Sequence, residues 1–232
     1  MRDPQVDKIL NAAKAENRKF LYEHEAKMLC GLYGIPITKI EVAKTEDAAV
    51  AAANKIGYPI VLKIVSPQVL HKSDAGGVIV GVSDEKSVRE GYQKIIANIK
   101  KNVPNAVIEG ILVQEMAPKG TEIIIGSTVD PTFGPTIMFG LGGIFVEILK
   151  DVSFRLAPIT KDDAWEMLDE IKAKKMLEGA RGTAKADKET IVTALLAVSN
   201  MLMDCPEIKE LDMNPILVYE KGARAVDARV IL

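Results

Sequence analysis

Cysteine, histidine and aromatic residues are scarce in this sequence. Two of the 232 residues are cysteine, two are histidine, and Phe, Trp and Tyr together make up 5%. Cys30 and Cys205 belong to no CxxC motif and no Cys/His cluster, which excludes a disulfide framework and a zinc site of ordinary spacing. A reducing, cytoplasmic environment is therefore expected.

The sequence also lacks an excess of charge and a long hydrophobic run. Thirty basic residues oppose thirty-two acidic ones, which excludes the charge footprint of a protein that binds nucleic acid or an anionic membrane. The N-terminus has no apolar signal segment and no stretch of about 18 uncharged apolar residues occurs, so we expect neither export nor a membrane span. With 48% hydrophobic residues, the chain has ample material for a packed core.

The periodicity of apolar residues predicts an α+β fold. Helices are predicted over 5–16, 22–34, 45–57 and 84–101, and again from Thr160 and from Asp187 onward. Strands are predicted over 36–44, 58–65 and 78–82, in four β-rich segments between 107 and 158, and in two final strands joined at 220–223. We interpret the middle of the chain as predominantly antiparallel sheet. Residues 1–232 then form a single domain of two lobes, the first over about 36–110 and the second from the remainder with the N-terminal helices.

Lys63 lies within an otherwise apolar predicted strand, "PIVLKIV", where alternation places it on the same face as Val61 and Val65. Two interpretations are open. In one, the strand lies at the edge of its sheet and the lysine reaches solvent along its own stem. In the other, the ammonium is directed at a phosphate, and the Gly76-Gly77 pair further along brings backbone N–H groups to the same anion.

Glu115 and Glu122 flank a Pro/Gly turn between two apolar strands in "ILVQEMAPKGTEIIIG". By themselves they indicate an ordinary hairpin with two exposed carboxylates. If Lys63 holds phosphates, the same connection is expected to hold the other end of a nucleotide, with backbone groups contacting the base and Glu122 accepting from the ribose hydroxyls. The ligand would then bridge the two lobes.

The C-terminal segment "ELDMNPILVYEKGARAVDARV" contains the candidate metal ligands. Asn214 lies on a predicted strand, which Pro215 limits to an edge or an irregular ladder. With a two-residue hairpin loop at 221–222, Ile216 lies opposite Asp227, and Asn214 becomes the diagonal neighbour of Asp227 at about 7 Å. Oxygen ligands without Cys or His favour Mg²⁺ that is completed by substrate phosphates. The alternative is a polar strand face in solvent.

Several motifs, in this order, resemble the ATP-grasp family of nucleotide-dependent ligases: "LYEHEAKMLCGLYGIPI", "IGYPIVLKI", "HKSDAGGV", "VQEMAPKGTEIIIG", "GLGGIFVE", "ELDMNPILV" and "VDARV". Within that family the chain is similar to the β subunits of ADP-forming acetate-CoA ligases, also called acetyl-CoA synthetases, and more distantly to the succinyl-CoA synthetase β subunit. The resemblance covers nearly the whole chain. It implies an ATP-grasp fold in which two α/β lobes enclose a nucleotide cleft.

The same resemblance implies a reaction and a site. Acyl-CoA, phosphate and ADP would be converted to free acid, CoA and ATP through an acyl phosphate and a phosphohistidine, with Mg²⁺ as cofactor. CoA binding and the first phosphohistidine would belong to an α subunit, in an α2β2 assembly. The implied site residues are Lys63 at the ADP or ATP phosphates, Glu115 and Met116 at the adenine, Glu122 at the ribose, and Asn214 with Asp227 at Mg²⁺.

His71 is the candidate catalytic residue. In the acetate-type ligases the matching histidine takes a phosphoryl group from the α subunit and delivers it to ADP, and neutral imidazole suits that role near pH 7. Lys72 would offset the charge of the incoming group, and Asp74 would orient the ring. The alternative is that His71 only hydrogen-bonds a phosphate.

Two other functions remain open. A stand-alone ATP-grasp carboxylate-amine or carboxylate-thiol ligase would make an acyl phosphate directly from ATP and need no partner. A regulatory module would bind ATP without turnover. Neither needs a histidine at position 71 together with a metal pair, so His71 separates both from the first function. Acyl specificity, the choice of ADP over GDP, and the places of Glu147, Arg155 and Arg181 do not follow from the sequence.

Overall fold

The computed structural model describes residues 2–69, 71–179 and 184–232. The chain forms two compact units. The inserted unit spans Thr38–Ala117, and the discontinuous unit combines the residues up to Ile37 with Pro118–Leu232. The inserted unit extends beyond the expected end near 110, because the strand that closes it runs to Glu115.

Helices and strands alternate along most of the described chain. The helices are α1 (Pro4–Ala15), α2 (Glu23–Leu32), α3 (Glu46–Ile56), α4 (Glu85–Asn102), α5 (Ile144–Glu147), α6 (Lys161–Glu170) and α7 (Lys188–Asp204). The strands are β1 (Phe20–Leu21), β2 (Ile40–Ala43), β3 (Ile60–Val65), β4 (Val78–Val82), β5 (Gly110–Glu115), β6 (Thr121–Asp130), β7 (Gly134–Leu141), β8 (Val152–Leu156), β9 (Glu210–Val218), β10 (Ala223–Ala225) and β11 (Arg229–Ile231). A 3-10 helix covers Lys174–Glu178. Among the described residues, no helix is long and apolar enough to cross a membrane.

The inserted unit is a four-stranded antiparallel sheet that two helices cover on one face. The strand order is β2-β5-β3-β4, so β3 and β5 are central. The helices α3 and α4 begin at side-chain caps, Thr45 and Asp84, which accept hydrogen bonds from the first helical turn. Their apolar faces pack on the sheet around Ile60, Leu62 and Ile64. Burial of this apolar surface is the main force that joins helices and sheet.

The discontinuous unit contains the larger sheet, with strand order β1-β11-β9-β6-β7-β8 and β10 also paired to β9. All described pairs between the strands of this sheet are antiparallel, which confirms the predicted antiparallel middle of the chain. Alternate residues of β6, such as Ile123 and Ile125, face a core built with α1, α2, α6 and α7. Glu122 directly precedes Ile123 on β6, so its side chain points to the opposite face of the sheet, and it is exposed.

Two predicted strands differ from the structure. The segment 144–158, expected to be β-rich throughout, begins with α5 and forms strand only in β8. Gly143, with φ 63°, turns the chain out of β7 at this point. The segment 223–232, expected as one strand, is broken into β10 and β11, and Asp227 lies in the gap. β propensity produces a strand only where a neighbour in register completes the ladder.

Candidate functional site

Lys63 lies in the middle of the sheet of the inserted unit. Its strand β3 pairs with β4 through Val78 and with β5 through Leu112, so the edge-strand interpretation is wrong. Lys63 is 7% exposed and shares a face with Val61 and Val65, as predicted, opposite the face that packs on the helices. An ammonium in a central strand requires an anionic or hydrogen-bonding partner, because its desolvation is costly.

The loop from His71 to Gly77 leads from β3 to β4 and forms a closed turn. Its internal hydrogen bonds run from Ala75 N–H to the His71 carbonyl (3.2 Å), from Gly76 N–H to the Ser73 carbonyl (3.0 Å) and from Gly77 N–H to the Lys72 carbonyl (2.7 Å). Both glycine N–H groups are therefore engaged inside the loop. Contact of Gly76 and Gly77 with a phosphate stays a prediction, and contact through their N–H groups requires this turn to open.

Neither Gly76 nor Gly77 has room for a larger side chain in this structure. Gly76 has a left-handed φ of 69°, and a Cβ there would lie 2.7 Å from Asn98 Nδ2. A Cβ on Gly77 would lie 2.5 Å from Ile64 Cγ2, while the Gly77 carbonyl accepts a hydrogen bond of 2.8 Å from Ile64 N–H. The glycines thus allow the loop to pack against β3 and α4.

Two asparagines of α4 hold the same loop. Asn98 Nδ2 donates to the Gly76 carbonyl at 3.0 Å, and Asn102 Nδ2 donates to the Ala75 carbonyl at 3.1 Å. They are one helical turn apart and project from the same side of α4. Sequence reasoning missed both residues, because nothing in the sequence pairs the end of this helix with the loop that precedes it.

His71 is exposed at the start of the loop. In the part of the chain that the structure describes, no hydrogen bond joins His71 to Asp74, which is also exposed. Orientation of the ring by Asp74 and charge compensation by Lys72 therefore stay predictions.

Glu115 and Met116 lie at the end of the inserted unit. The Glu115 carboxylate accepts a hydrogen bond from Lys39 N–H at 2.9 Å, and Glu115 N–H donates to the Lys39 carbonyl at 2.9 Å. Met116 N–H donates to the Pro59 carbonyl at 3.2 Å, and Met116 is 39% exposed. The Glu115 side chain thus extends the pairing of β5 with the chain before β2. Contact of these residues with an adenine stays a prediction.

Glu122 is exposed on β6 of the discontinuous unit, where it pairs with Leu217 of β9. Gly142 lies against it: Gly142 N–H donates to the Glu122 carbonyl at 2.8 Å, and a Cβ on Gly142 would lie 2.9 Å from the Glu122 Cβ. A glycine of the GLGG motif therefore leaves room for this glutamate. The exposed carboxylate keeps Glu122 a candidate for the ribose hydroxyls.

The flanking strand pairs place Asn214 and Asp227 more directly opposite each other than the sequence predicted. The pairs on either side of the gap share one register: Ala225 with Ile216, and Arg229 with Asp212. Continued across the gap, this register places Asp227 opposite Asn214 rather than diagonal to it. The predicted register was wrong by two residues, because the hairpin loop spans 219–222 and not 221–222.

Both residues lie where the ladders of β9 are interrupted. The register between β9 and β6 shifts between Ile123 and Ile125, opposite Asn214-Pro215. On the other side of β9, residues 226–228 belong to no strand. Pro215 has no N–H to donate, and the irregular ladder predicted for it is confirmed.

The donor chemistry at this position fits a hard divalent cation. Asn214 is exposed, and the half-buried Asp227 accepts a hydrogen bond on Oδ1 from Ala228 N–H at 2.9 Å. Burial raises the pKa of Asp212, and the charges of the nearby Asp227 and Glu210 raise it further. Within the described ranges, no group of three or more Asp, Glu, His or Cys side chains is arranged to hold a metal ion. Two oxygen ligands fit Mg²⁺ that takes its other ligands from water and phosphates.

Arg155, which the sequence left unplaced, is bound within the discontinuous unit. Its guanidinium donates to Glu170 at 2.6 Å and to Glu166 at 3.1 Å, and these bonds raise the pKa of Arg155. Arg155 therefore stabilises the packing of α6 on β8. Arg181 lies outside the described residues, as does the side chain of Glu147.

A family model described as "ATP-grasp domain" matches residues 12–232. The chain belongs to the ATP-grasp family. Over 231 residues it is 52% identical to the β subunit of acetate–CoA ligase [ADP-forming] I of Pyrococcus furiosus, and the match covers 100% of this chain and 99% of that one. The ATP-grasp fold expected from the sequence motifs is confirmed.

Solved structures share this ATP-grasp fold over almost the whole chain. The acetyl-coenzyme A synthetase 1 of Ca. Korarchaeum cryptofilum, in complex with coenzyme A, Ca-AMPCP and HgCl+, matches with a TM-score of 0.95 and 55% identity over 97% of this chain and 98% of that one. A second structure of that protein contains coenzyme A and Mg-AMPPCP, with a phosphohistidine segment pointing towards the nucleotide binding site. It matches with a TM-score of 0.88 and 49% identity over 98% of this chain and 99% of that one.

Proposed function

We propose that this chain is the nucleotide-binding β subunit of an ADP-forming acyl-CoA synthetase, an acid–thiol ligase of the acetate–CoA ligase type. The observation that carries the proposal is the end-to-end match with a protein that is itself named a β subunit. A stand-alone carboxylate-amine or carboxylate-thiol ligase has less support, because this relative is one subunit of an acid–thiol ligase and the match covers 99% of its length.

His71 is the proposed phosphoryl carrier of this chain. A ring nitrogen of His71 would attack the phosphorus of a phosphohistidine on the partner, so that one N–P bond forms as the other breaks. An oxygen of the ADP β-phosphate would then attack the same phosphorus, which gives ATP and returns neutral His71. The exposure of His71 and the Korarchaeum phosphohistidine segment directed at a nucleotide site support this assignment. Such a transfer depends mainly on alignment and on neutralising charge.

Neutralising charge is the proposed task of Lys63 and of the metal pair. Lys63 lies in a central strand that pairs on both sides, so its main chain is positioned before the nucleotide binds. Mg²⁺, when bound by Asn214 and Asp227, would neutralise phosphate charge. The remaining proposed nucleotide contacts are Gly76 and Gly77 at the phosphates, Glu115 and Met116 at the adenine, and Glu122 at the ribose.

The proposed partner is an α subunit that binds CoA, carries the first phosphohistidine and selects the acyl group. The subunit name of the Pyrococcus relative supports the partner. An α2β2 ratio is proposed from the sequence resemblance, and a cytoplasmic location from the scarcity of cysteine.

The decisive experiment follows labelled phosphate. The chain is mixed with its α partner, an acyl-CoA, Mg²⁺ and ³²P-phosphate, without ADP. We expect acid-labile, base-stable label on this chain, discharged to ATP when ADP is added. His71→Asn should abolish the label. Label confined to the α partner, with His71→Asn still making ATP at the wild-type rate, would refute the phosphoryl-carrier role.

The second histidine provides the matched control. The sequence has two histidines, so single substitutions resolve which one carries the label. His24 lies in α2 of the discontinuous unit and stacks on Tyr22 with ring centroids 5.8 Å apart. His24→Asn should leave both the label and ATP synthesis unchanged.

A further inference from the structure

Lys27, in α2, is a fully buried lysine, with 0% of its surface exposed. Lysine is almost never buried to this degree without a partner, because removing an ammonium from water is costly. The buried Glu23 lies one helical turn earlier on the same side of α2. Burial raises the pKa of the nearby Cys30 thiol to about 12, so this thiol is neutral and does not balance the charge. Packing alone does not explain a cation here, since an apolar side chain packs as well or better.

The Lys27 ammonium contacts the main chain beside the candidate metal pair. Its Nζ donates a hydrogen bond to the carbonyl oxygen of Val226 at 3.2 Å. Val226 N–H donates to the Pro215 carbonyl at 3.0 Å, and Ala225 N–H donates to the Pro36 carbonyl at 2.8 Å. Both main-chain polar groups of Val226 are therefore held, and α2 supplies the contact to its carbonyl oxygen.

Val226 immediately precedes Asp227, and the two share one peptide plane. Because a peptide group is planar, a hydrogen bond that fixes the Val226 carbonyl also fixes the N–Cα direction of Asp227. Residues 226–228 belong to no strand, so a regular ladder does not orient them. The Asp227 carboxylate also accepts a hydrogen bond from the adjacent Ala228 N–H at 2.9 Å, which ties it to this stretch of main chain.

We propose that Lys27 is a positioning residue for the metal–nucleotide site. Its ammonium fixes the peptide plane between Val226 and Asp227, and thereby the direction in which Asp227 presents its carboxylate to Mg²⁺ opposite Asn214. The inference rests on the proposed role of Asp227 and extends it, because it assigns a function to the lysine of the N-terminal "EAK" motif.

Two substitutions test this role. Lys27→Met keeps an apolar stem and removes the charge and the donor, whereas Lys27→Gln keeps an N–H donor. The readout is Mn²⁺ bound to the chain in the presence of ADP, measured by electron paramagnetic resonance without turnover. We expect Lys27→Met to weaken Mn²⁺ binding about 10-fold, as for residues that orient metal ligands, and to leave ADP binding in EDTA unchanged. Lys27→Gln should recover part of the loss.

Ser153→Ala is the matched control. Ser153 is also buried, and its Oγ donates to a main-chain carbonyl, that of Met167, at 2.9 Å. It lies on β8, which three strands separate from β11 in the sheet order, so its loss leaves residues 226–228 in place. Ser153→Ala should bind Mn²⁺ like the wild type. Thermal unfolding of each variant separates a loss of fold from a loss of metal.

The outcomes distinguish this inference from the proposed function. Wild-type Mn²⁺ affinity in folded Lys27→Met, with weakened binding in Asp227→Asn, overturns the positioning role alone. Wild-type affinity in Asp227→Asn overturns the metal pair itself. If neither Lys27 variant folds, the inference is tested by the ¹³Cε resonance of Lys27 in the unsubstituted chain. It should shift when Mg²⁺ is added to the ADP complex, and a stationary resonance overturns the inference.

Discussion

Asn98, near the end of α4, donates a hydrogen bond from Nδ2 to the carbonyl oxygen of Gly76 at 3.0 Å. Asn102 repeats the contact on the preceding carbonyl, that of Ala75, one helical turn later. The loop is also closed by its own main-chain bonds, so it is held both from within and from the helix. His71 therefore starts a preorganised turn, which favours a transfer that depends on alignment.

Asn98→Ala should loosen this turn. The part-buried Gly76 carbonyl loses its donor, at a cost of about 1 kcal/mol, and a misaligned His71 should accept the phosphoryl group at least about 10-fold more slowly. Rapid-quench labelling measures the rate, and amide exchange over 72–77 measures the loosening. Asn102→Ala removes an exposed bond and should have a smaller effect. Unchanged exchange and rate in Asn98→Ala would contradict the anchoring role.

Gly77→Ala should destabilise the inserted unit. The new Cβ would lie 2.5 Å from Ile64 Cγ2 and 3.0 Å from the Lys72 carbonyl oxygen, and overpacking of this kind costs about 1–3 kcal/mol. Gly81→Ala is the control. Gly81 has φ 77°, and a Cβ there would meet no atom within 4 Å, so this substitution adds backbone strain of about 1 kcal/mol but no clash. Urea denaturation measures the free energy of unfolding of both variants. A smaller loss for Gly77→Ala than for Gly81→Ala would show that the loop relaxes.

Lys63→Met should weaken nucleotide binding without unfolding the chain. It removes the ammonium from a central strand and keeps the apolar stem, so the expected loss is about 2 kcal/mol of ADP affinity, or about 30-fold in Kd. Titration calorimetry with ADP measures it. Lys55→Met is the control, because Lys55 is a surface lysine of the same unit that pairs with Glu41 at 2.7 Å. Equal affinities in the two variants would rule out the phosphate role of Lys63.

Much of the fold could be predicted because its signals are local. Thr45 caps α3 as its residue type predicts, and Lys63 shares a face with Val61 and Val65 as alternation predicts. The antiparallel middle follows from short strands separated by Pro/Gly turns. The helix α5 was missed because "IFVE" has strand-like residues, and the turn at Gly143 overrides that preference.

The site was less predictable, because its geometry depends on contacts between distant parts of the chain. Asp227 was placed by assuming a two-residue hairpin, and a longer loop moved it by two positions to face Asn214. The glycine pair was taken as a source of N–H groups for an anion, and folding uses those groups inside the loop.

By itself the sequence determined which residue types are available for the chemistry: a histidine shortly before a glycine pair, a lysine in an apolar strand, and an Asn/Asp pair without Cys or His. The order and spacing of these residues also determined the resemblance to the ATP-grasp family. Only the tertiary structure decided that β3 is central, that Asn98 ties α4 to the His71 loop, and that Lys27 is buried against Val226. Burial and register are properties of packed elements, and one segment of sequence does not contain them.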